Sequence, residues 1–116
     1  MAFDSERPSI ILATPTGTNC QLPAVLEPML NGIEEEQIPF QILDMEGDSA
    51  VERAYNASVA SRLSVGVGFD DAHIIVHYKN LKPENPLFDV AITDAASIRK
   101  VGANAARLVK GVPFKK

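Results

Sequence analysis

The 116 residues contain no tryptophan, and the aromatics amount to five phenylalanines and two tyrosines. So few aromatic rings do not suggest a base-stacking platform for single-stranded nucleic acid. Positive charge is also scarce: eleven Lys and Arg against fifteen Asp and Glu leave a formal net charge of -4. That balance argues against an electrostatic grip on phosphate backbones, so no nucleic-acid partner is expected. Cys20 is the single cysteine, which excludes an internal disulfide and gives no sign of a secreted framework. The stretch from Met1 to Pro8 is polar with charges of both signs, and lacks the basic start and apolar run of a signal peptide. No apolar stretch approaches the roughly 20 residues needed to span a bilayer. A cytoplasmic chain without a membrane partner is the expectation.

What remains is ordinary for a globular protein: 46% hydrophobic and 22% charged residues. The length favours one domain over residues 1–116, large enough to bury a core without disulfides or a structural metal. Ser9 to Ala13 is a short, continuous apolar run, which reads as a strand covered on both faces. The turn-rich segment Thr14 to Asn19 follows it. Leu22, Val25, Leu26, Met29, Leu30 and Ile33 then keep the helical period, predicting a helix from about Ala24 to Gln37. Pro28 is tolerable only if it falls near the first turn. Phe40 to Met45 reads as a second strand, and Ala50 to Ser61 as a second helix capped by Asp48 or Ser49. Val65 to Phe69 and His73 to Tyr78 read as strands, and Leu87 to Ile92 as a fifth. The last helix spans Ser97 to Lys110, with Asp94 or Ser97 as its cap and Gly111 placed for a left-handed C-cap. The order β-α-β-α-β-β-β-α predicts a compact α/β domain, its sheet mixed but mostly parallel, with helices on its faces.

Few residues invite chemistry. His73 and His77 are four apart, a zinc-ligand spacing on a helix. On a β-strand that spacing is about 13 Å, too far to share one metal, so both read as strand histidines at an edge or interface. Cys20 has no base near it in sequence, and reads as a small buried hydrophobe. Thr14 to Asn19 sits where phosphate loops follow a first strand, but it carries one glycine and matches no phosphate-binding motif. The glycines of Val65-Gly66-Val67-Gly68 read as strand packing. Arg107 and Lys110 suit the negative end of the last helix dipole, which is sufficient reason for both. No catalytic residue is assigned.

Glu34-Glu35-Glu36 stands out because three carboxylates crowd the negative end of the first long helix. At 100° per residue Glu35 points away from the apolar stripe, with Glu34 and Glu36 nearer its edges. Glu35 is therefore the one best placed to meet a cation outside the fold, an Arg, a Lys or a hard metal such as Mg2+. A plainly solvated acidic helix end remains the blander reading.

Several segments taken together resemble a known family. They are Gly32-Ile33-Glu34-Glu35-Glu36 with Ile38-Pro39-Phe40, Val65 to Gly68 with Asp70-Asp71, Val76 to Leu81, Pro86-Leu87-Phe88, and Asn104 to Phe114. In this order they resemble the small subunit of the reactivating factors for coenzyme B12-dependent diol and glycerol dehydratases. The resemblance implies a fold like that of the dehydratase medium subunit. It implies a non-catalytic, chaperone-like subunit of a hetero-oligomer with two copies each of this chain and a large ATPase subunit. Such a factor exchanges subunits with a damaged B12-dependent dehydratase, so that spent cobalamin leaves. This chain alone would bind no cofactor, the large subunit holding Mg2+ with ADP or ATP. In the family the middle glutamate of the Gly-Ile-Glu-Glu-Glu motif reaches that Mg2+, which implies Glu35 as a metal ligand in trans, with Glu34 and Glu36 as partner contacts. Association with a propanediol-utilisation microcompartment stays open. One alternative is the dehydratase medium subunit itself, usually longer and in contact with cobalamin. Another is a small enzyme binding a phosphorylated ligand at Thr14 to Asn19.

Overall fold

The computed structural model describes residues 8–115. Five strands form one sheet: β1 (Ile10–Pro15), β2 (Phe40–Met45), β3 (Val65–Phe69), β4 (His73–Tyr78) and β5 (Phe88–Ala91). Their order across the sheet is β2-β1-β3-β4-β5. β1 pairs parallel with β2 and with β3, while β4 runs antiparallel to both its neighbours. Four strands thus point one way and β4 alone the other. The helices are α1 (Glu27–Glu35), α2 (Ala50–Ala60) and α3 (Ala95–Lys110).

The connections explain the layers. The crossover through α1 leads from β1 to β2 on one side, and the one through α2 leads from β2 across β1 to β3. Right-handed crossovers running in opposite directions place their helices on opposite faces. Alternation along β1 follows from this. Ile10 and Leu12 join the larger core with Leu26, Met29, Ile33, Val65, Val67, Ile98 and Val101, under α1 and α3. Ile11 and Ala13 face α2 through Ala57. Burying each isoleucine or leucine contributes roughly 1.5–3 kcal/mol, so this double coverage fixes the register of β1.

α2 lies closest to the sheet over β3, where Gly66 and Gly68 meet Ala50, Ala54 and Ala57. A Cβ built on Gly66 would lie 2.3 Å from Ser58 N, and one on Gly68 would lie 2.3 Å from the Ala50 carbonyl oxygen. The two glycines let the α2 backbone rest directly on β3, which is the strand-packing role their spacing suggested.

Several boundaries differ from the sequence reading for local reasons. β1 continues to Pro15, whose missing N–H leaves its place beside Met45 of β2 intact. Ala24–Leu26 is a short 3-10 turn, so α1 begins only at Glu27 and Pro28 lies in its first turn, where no helical N–H is lost. α1 stops at Glu35, with Gln37 in the left-handed region at φ 62°. α3 begins two residues earlier than expected, because the Asp94 side chain accepts the Ser97 N–H at 2.8 Å. The Ser49 side chain caps α2, and Gly111 closes α3 with φ 70°.

Candidate functional site

α1 and α3 cross on two glycines. A Cβ on Gly32 would fall 2.0 Å from the Arg99 carbonyl oxygen, and one on Gly102 would fall 2.0 Å from the Met29 carbonyl oxygen. This backbone-to-backbone approach sets the C-terminal end of α1, with its three glutamates, beside the cations of α3.

The three carboxylates take three different environments. Glu34 is exposed and makes no ion pair among the described residues. Glu35 receives the Arg99 guanidinium on both oxygens: Nε donates to Oε1 at 3.0 Å and Nη2 donates to Oε2. Both side chains stay wet, Arg99 at 53% and Glu35 at 37% exposure. Glu36 is held far more closely. Its side chain is 10% exposed, accepting from Lys110 Nζ at 2.6 Å and Arg107 Nε at 3.2 Å. The Lys110 ammonium, with Arg107 beside it, keeps the Glu36 carboxyl below its ordinary range despite partial burial.

Two expectations change here. Glu35 does lie on the exposed side of α1, but its carboxylate is already met within the chain, by Arg99. Glu36, expected as a partner contact, is turned toward α3 and pairs with two of its cations. Arg107 and Lys110 do more than balance their own helix dipole, since they also neutralise a carboxylate at the negative end of α1. Arg107 further donates to the Pro113 carbonyl at 2.9 Å, tying down the chain after α3. The sequence hid these pairs because the partners lie 64 to 74 residues apart. Gly32 and Gly102 were the available signal, since a glycine inside a helix costs about 1 kcal/mol against alanine and often marks a close approach.

The other suspected positions resolve differently. The loop after β1 encloses the Asp44 carboxylate of β2. Asp44 accepts the Thr14 and Thr18 hydroxyls and the backbone N–H groups of Cys20 at 2.9 Å, Gly17 at 3.2 Å and Asn19 at 3.2 Å. The Thr14 and Thr18 hydroxyls, followed by the backbone donors, hold its carboxyl far below the usual carboxylate range. A loop whose N–H groups converge on an internal carboxylate is not available to a phosphate, which removes the small-enzyme alternative. Asp44 was invisible to motif reasoning because it sits inside a mostly apolar strand. Cys20 is exposed, with φ 60°, and is not the buried hydrophobe expected.

His73 is exposed on β4 and pairs with Asp89 of β5 at 3.0 Å. His77 is fully buried, neither at an edge nor at an interface, because β4 is flanked by β3 and β5. Its Nδ1 accepts the Tyr78 N–H at 3.0 Å, its Nε2 donates to the Pro83 carbonyl at 3.0 Å, and Tyr55 packs edge-on with centroids 5.1 Å apart. Among the described residues no three His, Cys, Asp or Glu side chains gather to hold a metal. No described helix is long and apolar enough to cross a membrane.

Residues 7–115 match the family model for the dehydratase medium subunit. That match suits either a dehydratase subunit or its reactivase counterpart, and nearer relatives decide between them. The chain is 44% identical over 88 residues to the propanediol dehydratase-reactivating factor small subunit of Citrobacter freundii, covering 75% of this chain and 76% of that one. It is equally identical to the diol dehydratase-reactivating factor small subunit of Klebsiella michiganensis, over 75% of this chain and 70% of the relative. The chain belongs to the family of dehydratase-reactivating factor small subunits. The solved structure of diol dehydratase-reactivating factor complexed with ADP and Mg2+ contains a chain that superposes with a TM-score of 0.84 at 40% identity, over 95% of this chain and 99% of the other. That chain of the reactivating factor thus shares the five-stranded frame described above.

Proposed function

We propose that this chain is the non-catalytic small subunit of a chaperone-like, ATP-dependent factor that frees a B12-dependent diol or glycerol dehydratase of damaged cobalamin by exchanging subunits with it. Its partners are a large ATPase subunit, two copies of each assembling together, and the dehydratase, all in the cytoplasm. The observation that carries this reading is the likeness, over nearly the whole of both chains, to a reactivating factor complexed with ADP and Mg2+.

Within that assembly Glu35 is the ligand this chain offers to the Mg2+ held with nucleotide on the large subunit. Mg2+ takes hard oxygen donors, usually one or two carboxylates together with phosphate oxygens and water. A chain without a three-residue cluster among its described residues, but with a wet carboxylate at a helix end, suits the part of a single donor in trans. Bound there, the ion links the nucleotide state of the large subunit to retention of the small one. Glu36, neutralised by Lys110 and Arg107, holds the end of α1 on α3, and Glu34 is free to touch the large subunit.

Two experiments test this. Tagged chain mixed with native extract should retain a large ATPase-like subunit, in an amount that differs between Mg-ATP and Mg-ADP. Recovery of dehydratase subunits alone, indifferent to nucleotide, would return the chain to the medium-subunit reading. Glu35→Gln should abolish the nucleotide dependence of subunit release, and unchanged dependence would remove Glu35 from the metal.

A further inference from the structure

We propose that Arg99 is a latch, an in-chain competitor that occupies the Glu35 carboxylate whenever Mg2+ is absent. The proposal rests on the reading of Glu35 as a Mg2+ ligand in trans.

The geometry places Arg99 for this and nothing looser. Its backbone is pressed against α1, since its carbonyl oxygen would lie 2.0 Å from any Cβ at Gly32. Its side chain then reaches Glu35, next to the turn that holds Gly32, and engages both oxygens in a fork. A carboxylate forked in this way has its most accessible lone pairs occupied. A metal approaching through those same lone pairs displaces at least one guanidinium N–H, and one approaching through the remaining lone pairs still brings a second positive charge beside the first.

Exposure decides how strong the latch is. With side chains 53% and 37% exposed, the pair is of the solvated kind that shifts an equilibrium by roughly 1.5- to 5-fold. That is enough to bias Glu35 and weak enough to open when nucleotide-bound Mg2+ arrives. The neighbouring Glu36 shows the contrast: at 10% exposure and held by two cations, it is not surrendered. Of the three glutamates, then, one is free, one latched and one locked, and the latched one is the carboxylate whose existing pair a partner's cation can exchange.

The test is a double-mutant cycle on the assembled factor. The affinity of the small subunit for the purified large subunit is measured in Mg-ADP and in ADP with EDTA, for the wild type, Arg99→Met, Glu35→Gln and the double variant. The readout is the Mg2+-dependent increment in affinity. Arg99→Met should raise that increment 1.5- to 5-fold when Glu35 is present and leave it unchanged when Glu35 is Gln. If Glu35→Gln removes the increment but Arg99→Met leaves it level or lowers it, the latch is wrong and Glu35 stands, with Arg99 aiming the carboxylate instead of withholding it. An equal rise in both backgrounds also overturns the latch, because the effect would then be general charge. If Glu35→Gln leaves the increment intact, the metal reading itself fails and takes the latch with it.

Discussion

Replacing Gly32 with alanine puts a methyl carbon 2.0 Å from the Arg99 carbonyl oxygen and 2.8 Å from the Ala103 nitrogen, where ordinary contact begins at 3.4 Å. Both obstacles are backbone of α3, so no flexible side chain can yield. The helices must part by about 1 Å or more, and overpacking of this kind costs roughly 1–3 kcal/mol, here toward the upper end. The gain in helix propensity offsets about 1 kcal/mol of that. The net loss is about 2 kcal/mol, which for a chain of this length lowers Tm by about 8 °C. Scanning calorimetry of the wild type and variant measures it directly. Asn31→Ala, on the exposed side of the same helix, is the control: propensity alone acts there, and Tm should stay or rise slightly. Gly102→Ala should match Gly32→Ala, because its Cβ meets the Met29 carbonyl oxygen at the same 2.0 Å. The double variant should lose less than the sum of the two, since helices already forced apart by one methyl accommodate the second more easily. A Tm for Gly32→Ala at or above that of the wild type would refute the crossing described here.

Two further perturbations test the loop and the buried histidine. Asp44, Asp70 and Asp94, ordinarily near 3.8, and Glu36, ordinarily near 4.5, are all held below those values by hydrogen bonds or cations. Depressed folded-state values mean that the unfolded chain binds more protons near pH 4, so this stability is complete above about pH 5 and drains away as the pH falls through 4. The Tm gap between wild type and Asp44→Asn should therefore be widest at pH 7 and narrow toward pH 3, and a gap constant with pH would contradict the account of that loop. His77→Phe keeps the ring but strands the Pro83 carbonyl and loosens the Tyr78 N–H, so urea titration should show a loss of about 2–4 kcal/mol. A loss under about 0.5 kcal/mol would mean that packing against Tyr55, and not the hydrogen bonds, keeps His77 in place.

Local signals explain why so much of the frame was legible. The continuous apolar run of β1 announced a strand buried on both faces, and Gly111 closes α3 where a left-handed cap was expected. The helical period of Leu22 to Ile33 overran the true start of α1, because periodicity does not distinguish a 3-10 turn from the α-helix that follows it. What stayed hidden was long-range: Asp44 gathers donors from 24 to 30 residues away, and the cations of α3 meet glutamates more than 60 residues upstream.

The glutamate triplet shows how the two kinds of information combine. Periodicity separated Glu35 from its neighbours by direction alone, as though each carboxylate faced either core or water. The fold adds a third surface, the flank of α3, and on that surface the order of commitment is set by burial and by the number of cations met. Glu36 meets two under cover and Glu35 meets one in the open. A carboxylate cluster at the negative end of a helix is unstable in isolation. Here that instability is relieved completely at one residue, incompletely at the next and not at all at the third. The residue relieved incompletely is the one whose partner can be exchanged, which is the physical requirement for a ligand that must let go.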